Sequence, residues 1–214
     1  MKRVLVCGFA VVFLTALGCA SGESYVQSGY DFGRIDKVAV VEVTGDVSGQ
    51  VARNQIGDFF AMELLKKGYS AVERAQVQAV LEEQDFQRSE LTTAEGAARA
   101  GRILNVPAAM IANITVQKES VSMTAKMVDV ETASIVWIGS GYGRTGKTLA
   151  TLGGAAVGGA AGTLLGGDST GRVVGGVAGG VLGGAAGNAL SPQTASQVQK
   201  VARKVCAELP ARTG

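Results

Sequence analysis

The sequence predicts an α/β (α+β) domain: a mixed sheet with a C-terminal antiparallel meander, covered by helices, plus a Gly-rich helical hairpin. Three observations predict it. Residues 35–43 (IDKVAVVEV) are a near-continuous β-branched run suited to a buried strand, and Val51, Ile56, Phe59, Phe60, Leu64 and Leu65 then recur at helical spacing. Three apolar runs, 109–116, 120–130 and 134–140, follow one another across short turns, as in a meander. Of the 31 glycines, 15 lie between Leu149 and Leu190, so the chain is not uniform along its length.

Taken in order, residues 44–49 turn the first strand into the first helix. That helix closes at Gly68, after Lys66 and Lys67 have placed cations at its negative end. Residues 69–72 read as a short strand, and 76–86 as a helix with Val77, Val80 and Leu81 inward. Thr92 and Glu95 make a capping box for the next helix, which runs to about Asn105 before Pro107 breaks it. Turns at 117–119 and 131–133 join the meander strands, giving the order β-α-β-α-α-β-β-β. A last helix in 193–209 carries the stripe Ala195, Val198, Ala202, Val205 and Leu209. It is expected to pack back on the domain, with Cys206 beside the stripe as a small hydrophobe.

Charge and composition exclude several functions. Lys and Arg number 20 against 18 Asp and Glu, and two of the cations, Lys2 and Arg3, stand at the extreme N-terminus. Without them the chain is neutral, which argues against nucleic acid as a partner, since phosphates demand a basic face. There is no histidine. Ser-His and Cys-His catalysis and histidine metal sites go with it. The three cysteines, at 7, 19 and 206, make no CxxC pair, so no metal or other cofactor is expected.

The first residues read as an address. Lys2 and Arg3 form a basic region, and residues 4–17 are uncharged and largely apolar, too short and wrongly flanked for a stable spanning helix. The run ends in Thr15-Ala16-Leu17-Gly18-Cys19, where small residues suit a peptidase cleft and a thiol at the new N-terminus can be acylated. This resembles the bacterial lipoprotein box. The resemblance implies a signal peptide over 1–18 and Cys19 carrying diacylglycerol plus an amide-linked chain, a multi-chain anchor. Ala20 follows, not the aspartate that retains many lipoproteins at the inner membrane, so an outer-membrane location with the domain in the periplasm is expected. Residues 19–33 read as a lipidated tether lifting the domain off the bilayer.

Within 34–148, VAVVEV (38–43), AVERAQVQAVLEEQ (71–84), AARAGRILNV (97–106) and VSMTAKMVDVETASIVWIGSGYG (121–143) stand in order over roughly 110 residues. They resemble the curli-secretion lipoprotein family, the CsgG type. Its members share a VAVLPF-type first strand and a Val-Glu-Arg segment leading to Leu-x-Glu-Gln. They also share a Gly-x-Leu-x-Val helix end and a closing hairpin whose Asp-Val-x-Thr turn leads to Ile-Val-Trp. The resemblance implies a periplasmic α/β domain used for assembly and not for chemistry; curli transporters of this kind form outer-membrane rings that export unfolded subunits. Such a pore needs membrane hairpins with segments of about 9–11 alternating residues. No insertion of that length separates the meander strands.

Past the domain, Gly154, Gly158, Gly162 and Gly166 fall four apart, as do Gly175, Gly179, Gly183 and Gly187. Each row follows one helix face, because four residues are about 1.1 turns. Asp168 and Arg172, between the rows, are the only charges in 149–190. The flanking stretches, 149–167 and 173–190, would span roughly 27–29 Å as helices, close to a hydrocarbon core of about 30 Å. Glycine weakens helices in water, whereas small-xxx-small faces let helices touch in lipid. The expected element is a glycine-zipper hairpin, inserted in the membrane or self-associating; the alternative is a flexible low-complexity loop.

Residues 141–148 (GYGRTGKT) match GxxxxGK[ST] letter for letter, and Gly141, Gly143 and Gly146 also fit GxGxxG. A phosphate loop needs a following α/β sheet and a strand-end aspartate for Mg²⁺. Downstream lie only the glycine rows and one helix, so no nucleotide is expected and the stretch reads as a glycine-rich exit from the last strand. Asp129 and Glu131 read as a solvated turn, Glu82, Glu83 and Asp85 as an exposed helix face, and Trp137 as core. The expectation is a non-enzymatic lipoprotein acting as a structural or assembly component in envelope biogenesis or curli-like secretion, as a homo-oligomer or with an envelope partner. The alternative is a regulatory binding lipoprotein that contacts a peptidoglycan enzyme or another envelope protein. A final helix in 191–210 completes the predicted organisation.

Overall fold

A computed structural model describes residues 22–84, 86–87, 89–117, 120–144 and 189–212. Its strands are β1 (Gly22–Val26), β2 (Lys37–Gly45), β3 (Ser70–Ala71), β4 (Ala108–Gln117), β5 (Ser120–Asp129) and β6 (Ile135–Arg144). Its helices are α1 (Gln50–Lys66), α2 (Arg74–Glu83), α3 (Ala94–Ile103) and α4 (Pro192–Val205). The strands form one open mixed sheet in the order β1-β6-β5-β4-β2-β3. β2 runs parallel to β3 and β4, while β4, β5, β6 and β1 pair antiparallel, so the predicted meander is one half of the sheet.

Two apolar layers hold the fold. On one face, Val38, Val40, Met110, Ile114, Met123, Met127 and Trp137 pack against Ile56, Phe60 and Leu64 of α1 and Val198, Val201 and Val205 of α4. On the other, Ala39, Val41, Ala109, Ile111 and Val128 meet Val77 and Leu81 of α2 and Ala97 and Ala100 of α3. β2 contributes to both layers, which is why its sequence is a continuous apolar run and not an alternation. Each fully buried Val or Leu contributes about 1.5–3 kcal/mol of transfer free energy. A bulge between Val40 and Glu42 turns neighbouring carbonyls outward. Buried Arg74, opening α2, donates to both, at 2.6 Å to Val40 O and 2.9 Å to Val41 O.

The structure departs from the sequence reading in four places. Within the expected tether, Gly22–Val26 is strand β1, paired with β6 from Gly22↔Gly141 to Val26↔Trp137. Thr93, not Thr92, caps α3: its hydroxyl accepts from Gly96 N at 3.0 Å, while the Thr92 hydroxyl donates to Ser89 O at 2.7 Å. Thr92 lies in a 3₁₀ turn, Glu90–Thr92, so Glu95 is one residue short of the third helical position and no capping box closes. β6 continues through Gly141, Tyr142 and Gly143 to Arg144. Asp129, read as solvated, is buried.

Candidate interaction surfaces

The first surface is the seat of α4. Alternate residues of a strand share a face, and on β6 that places Gly139, Gly141 and Gly143 beneath α4. A Cβ at Gly139 would lie 2.6 Å from the Val205 carbonyl oxygen, one at Gly143 would lie 2.6 Å from the Val201 side chain, and one at Gly141 would lie 3.1 Å from Val205 N. Three missing side chains let the helix backbone rest directly on the sheet. The first four residues of the GxxxxGK[ST] match are therefore strand, all paired with β5 and Gly141 also with β1, and make no loop around a phosphate; Gly146 and Lys147 lie outside the described residues. Trp137 closes the same layer and donates its indole N–H to Ser24 Oγ at 2.7 Å, tying β1 to the core.

The C-terminal tail extends this contact. Lys67 Nζ donates to Ala207 O at 2.7 Å and the Tyr69 hydroxyl donates to Pro210 O at 2.7 Å. Burial raises the Tyr69 phenol to about 12. Glu63 of α1 is buried and pairs with Lys66 at 2.6 Å and, more loosely, with Arg203 at 3.8 Å. Cys206 is buried beside the stripe, and burial pushes its thiol up to about 12, so it is no nucleophile.

The second surface is an open cleft of about 370 Å³ at the other end of the sheet, lined by Tyr30, Arg34, Arg102, Asn105, Asp129 and Glu131 among others. Asn105 closes α3 in the left-handed conformation, φ 51°, which asparagine tolerates. Arg102 then reaches the β5–β6 turn and donates to Val130 O at 2.9 Å. Asp129 accepts from the Tyr30 hydroxyl, from Thr132 N at 2.8 Å and from Thr132 Oγ1 at 2.9 Å. Burial alone would raise its pKa, but the hydrogen bonds from Tyr30 and Thr132 outweigh it and hold the carboxyl below its usual range. Burial and the Asp129 carboxylate push the Tyr30 phenol up in turn. Asp129 is committed to three donors, so it orders the turn and is not a free base. The Arg34–Glu131 pair, 3.1 Å apart, is solvent-exposed and contributes little.

Among the described residues, no cluster of three or more Cys, Asp or Glu could hold a metal ion, and no helix is long and apolar enough to cross a membrane. Cys19 and the two glycine rows, Gly154, Gly158, Gly162 and Gly166 with Gly175, Gly179, Gly183 and Gly187, lie outside the described residues, as does Asp85. Glu82 and Glu83 are exposed on α2, and Trp137 is core. Sequence reasoning missed the cleft, whose lining comes from three separate segments, and the seat of α4, which the alternation Gly139-x-Gly141-x-Gly143 did signal.

Residues 37–124 match the family described as Curli production assembly/transport component CsgG. Over that span the central domain resembles the CsgG type. The matched span covers β2 to the middle of β5, and residues 149–191 match a second family, the glycine zipper 2TM domain. No curated protein matches the chain. Among solved structures, the CsgG-type domain is similar to the LpoB C-terminal domain from Salmonella enterica, at 16% identity and TM-score 0.44, covering 55% of this chain and 87% of that one. It is also similar to lipoprotein GNA1162 from Neisseria meningitidis, at 18% identity and TM-score 0.45, with coverages of 51% and 80%. A PelC dodecamer from Paraburkholderia phytofirmans shows 19% identity and TM-score 0.38, with coverages of 57% and 82%. Neither matched family description names a catalytic activity.

Proposed function

We propose that this chain is a lipoprotein anchored in the outer membrane through Cys19, with its CsgG-type domain in the periplasm. There it serves as a non-catalytic structural and assembly component of envelope biogenesis or curli-like secretion. The observation that carries the reading is a CsgG-type domain in one chain with a lipoprotein box and a glycine zipper. In this reading Gly154, Gly158, Gly162, Gly166, Gly175, Gly179, Gly183 and Gly187 let helices approach closely, within the bilayer or between copies of the chain. The connections of the meander support a scaffold more than a barrel built from these strands. Gln117 pairs with Ser120, and a five-residue turn joins β5 to β6, neither long enough for a membrane hairpin.

Membrane fractionation with mass spectrometry tests this. The native protein is expected in the outer membrane, starting at an acylated Cys19. If Cys19→Ala leaves the membrane fully only when residues 149–190 are also deleted, those rows insert in lipid; if Cys19→Ala alone releases it, they act between copies. An unprocessed start at Met1 with an unmodified thiol overturns the proposal. Native mass spectrometry then separates roles: a defined assembly of copies supports a scaffold, and a monomer that captures a peptidoglycan enzyme moves the protein to the regulatory alternative.

A further inference from the structure

Three points where the chain leaves the described domain lie at one end of the sheet. β6 runs toward Arg144, from which residues 145–188 depart. β1 is antiparallel to β6 with Gly22 opposite Gly141, so the segment bearing Cys19 enters at that same end. α4 runs back along β6, with Val205 against Gly139 and Gly141 and Val201 against Gly143, so its N-terminus projects past Arg144. Contacts with α1 confirm the direction. Leu190 N donates to Gln55 Oε1 at 3.2 Å near the start of α1, whereas Lys67 at its far end reaches Ala207. The β4–β5 hairpin, with Gln117 opposite Ser120, and the loop holding Ser48 complete this end. The β5–β6 turn and the cleft lie at the opposite end, about 30 Å away along ten-residue strands.

The distance from anchor to domain is equally constrained. Cys19 is three residues from Gly22, a reach of at most about 10 Å. Gly22 is itself pinned, since a Cβ there would lie 2.8 Å from Ser140 O and 3.1 Å from Lys204 O.

We infer that the end formed by Gly22, Gln117, Arg144 and Leu190 rests on the lipid surface, and that the cleft beside the β5–β6 turn points away from it. This rests on the acylation of Cys19 proposed above. An anchor whose acyl sulfur sits within about 10 Å of one sheet corner cannot let the domain lie on its opposite end. The chain also departs after Arg144 and returns at Leu190 on this same end, so any lipid contact made by residues 149–188 would reinforce the orientation set by Cys19.

The test uses the full acylated chain in phosphatidylethanolamine/phosphatidylglycerol vesicles that carry a nitroxide headgroup quencher. Single fluorophores are placed through Ser48→Cys, Gln117→Cys, Glu131→Cys and Ser134→Cys; buried Cys206 stays unlabelled. Flotation is read first. A chain that floats is expected to show several-fold stronger quenching at positions 48 and 117 than at 131 and 134. Equal or reversed quenching in a floating chain overturns the orientation and leaves anchoring intact. A chain that does not float overturns the anchoring reading and the orientation with it.

Discussion

Asp129 shows how a surface turn becomes a fixed part of the domain. Its carboxylate accepts hydrogen bonds from Tyr30, a residue 99 positions away, and from both donors of Thr132, so the β5–β6 turn and the segment before β2 are held by one charge. Asp129→Asn turns amide hydrogens toward donors and is expected to cost about 1–3 kcal/mol at neutral pH. Because the folded pKa lies below the unfolded value of about 3.9, the carboxylate stabilises fully above that range and loses its effect as pH falls through the lowered value. Thermal melts should show the gap between the two proteins widest near neutrality and closing as pH falls through the lowered value; a gap independent of pH would contradict the ionic account. Cys206 offers a second residue-scale check. With its thiol pushed up to about 12 by burial, a thiol reagent at pH 8 should modify it at least a thousandfold more slowly than a free cysteine, until denaturant exposes it. The Cys206 environment was legible in the apolar stripe of the last helix, whereas that of Asp129 was not. Spacing shows Asp129 as one of two acids at a hairpin turn, and the partner that buries it lies outside any local window.

At the level of elements, what the sequence shows depends on how each one is stabilised. β2, α1 and the meander are driven by apolar periodicity, and they occur where that periodicity puts them. β1 is held otherwise. Gly22–Val26 offers Glu23, Ser24 and a largely exposed Tyr25, with little apolar alternation to read, and it exists because β6 presents an unpaired edge and Trp137 presents an indole N–H to Ser24. The end of β6 was obscured for the opposite reason: glycines there resemble a loop, yet their missing Cβ atoms are what admits α4. Thr92 and Thr93 are adjacent equivalents, and only the 3₁₀ turn before them decides which one caps. Gly139→Ala tests the packing at the seat. The added methyl meets the Val205 carbonyl and the Trp137 ring with no room to relax, so guanidinium unfolding should show a loss of about 1–3 kcal/mol. Ser140→Ala, one residue along on the opposite face, should stay within about 0.5 kcal/mol. Equal costs at both positions would mean that α4 does not rest on the glycines.

For the whole molecule, the question is whether the glycine rows contribute to the stability of the domain or act outside it. The ends of that segment are close: Gly143 abuts Val201, and from there to Pro192 is nine residues of α4, about 14 Å. A linker of about ten residues spans this easily. Replacing residues 149–188 with a short Gly/Ser segment, so that Arg144 and the buried Leu190 are joined by about ten residues, shortens the closed loop roughly two-fold twice. Loop-closure entropy then favours the folded state by about 1.2 kcal/mol. If the rows act in lipid or between copies, the detergent-solubilised variant should unfold at equal or slightly higher denaturant concentration than the full chain, with its near-ultraviolet Trp137 signal unchanged. Assembly or membrane retention should weaken in the same protein. If the rows pack on the domain, stability should instead fall by more than the loop gains, because covered apolar surface becomes exposed at about 25 cal/mol per Å². The sign of the change therefore separates the two arrangements, and a fall in stability with assembly intact would assign the glycine rows to the fold itself.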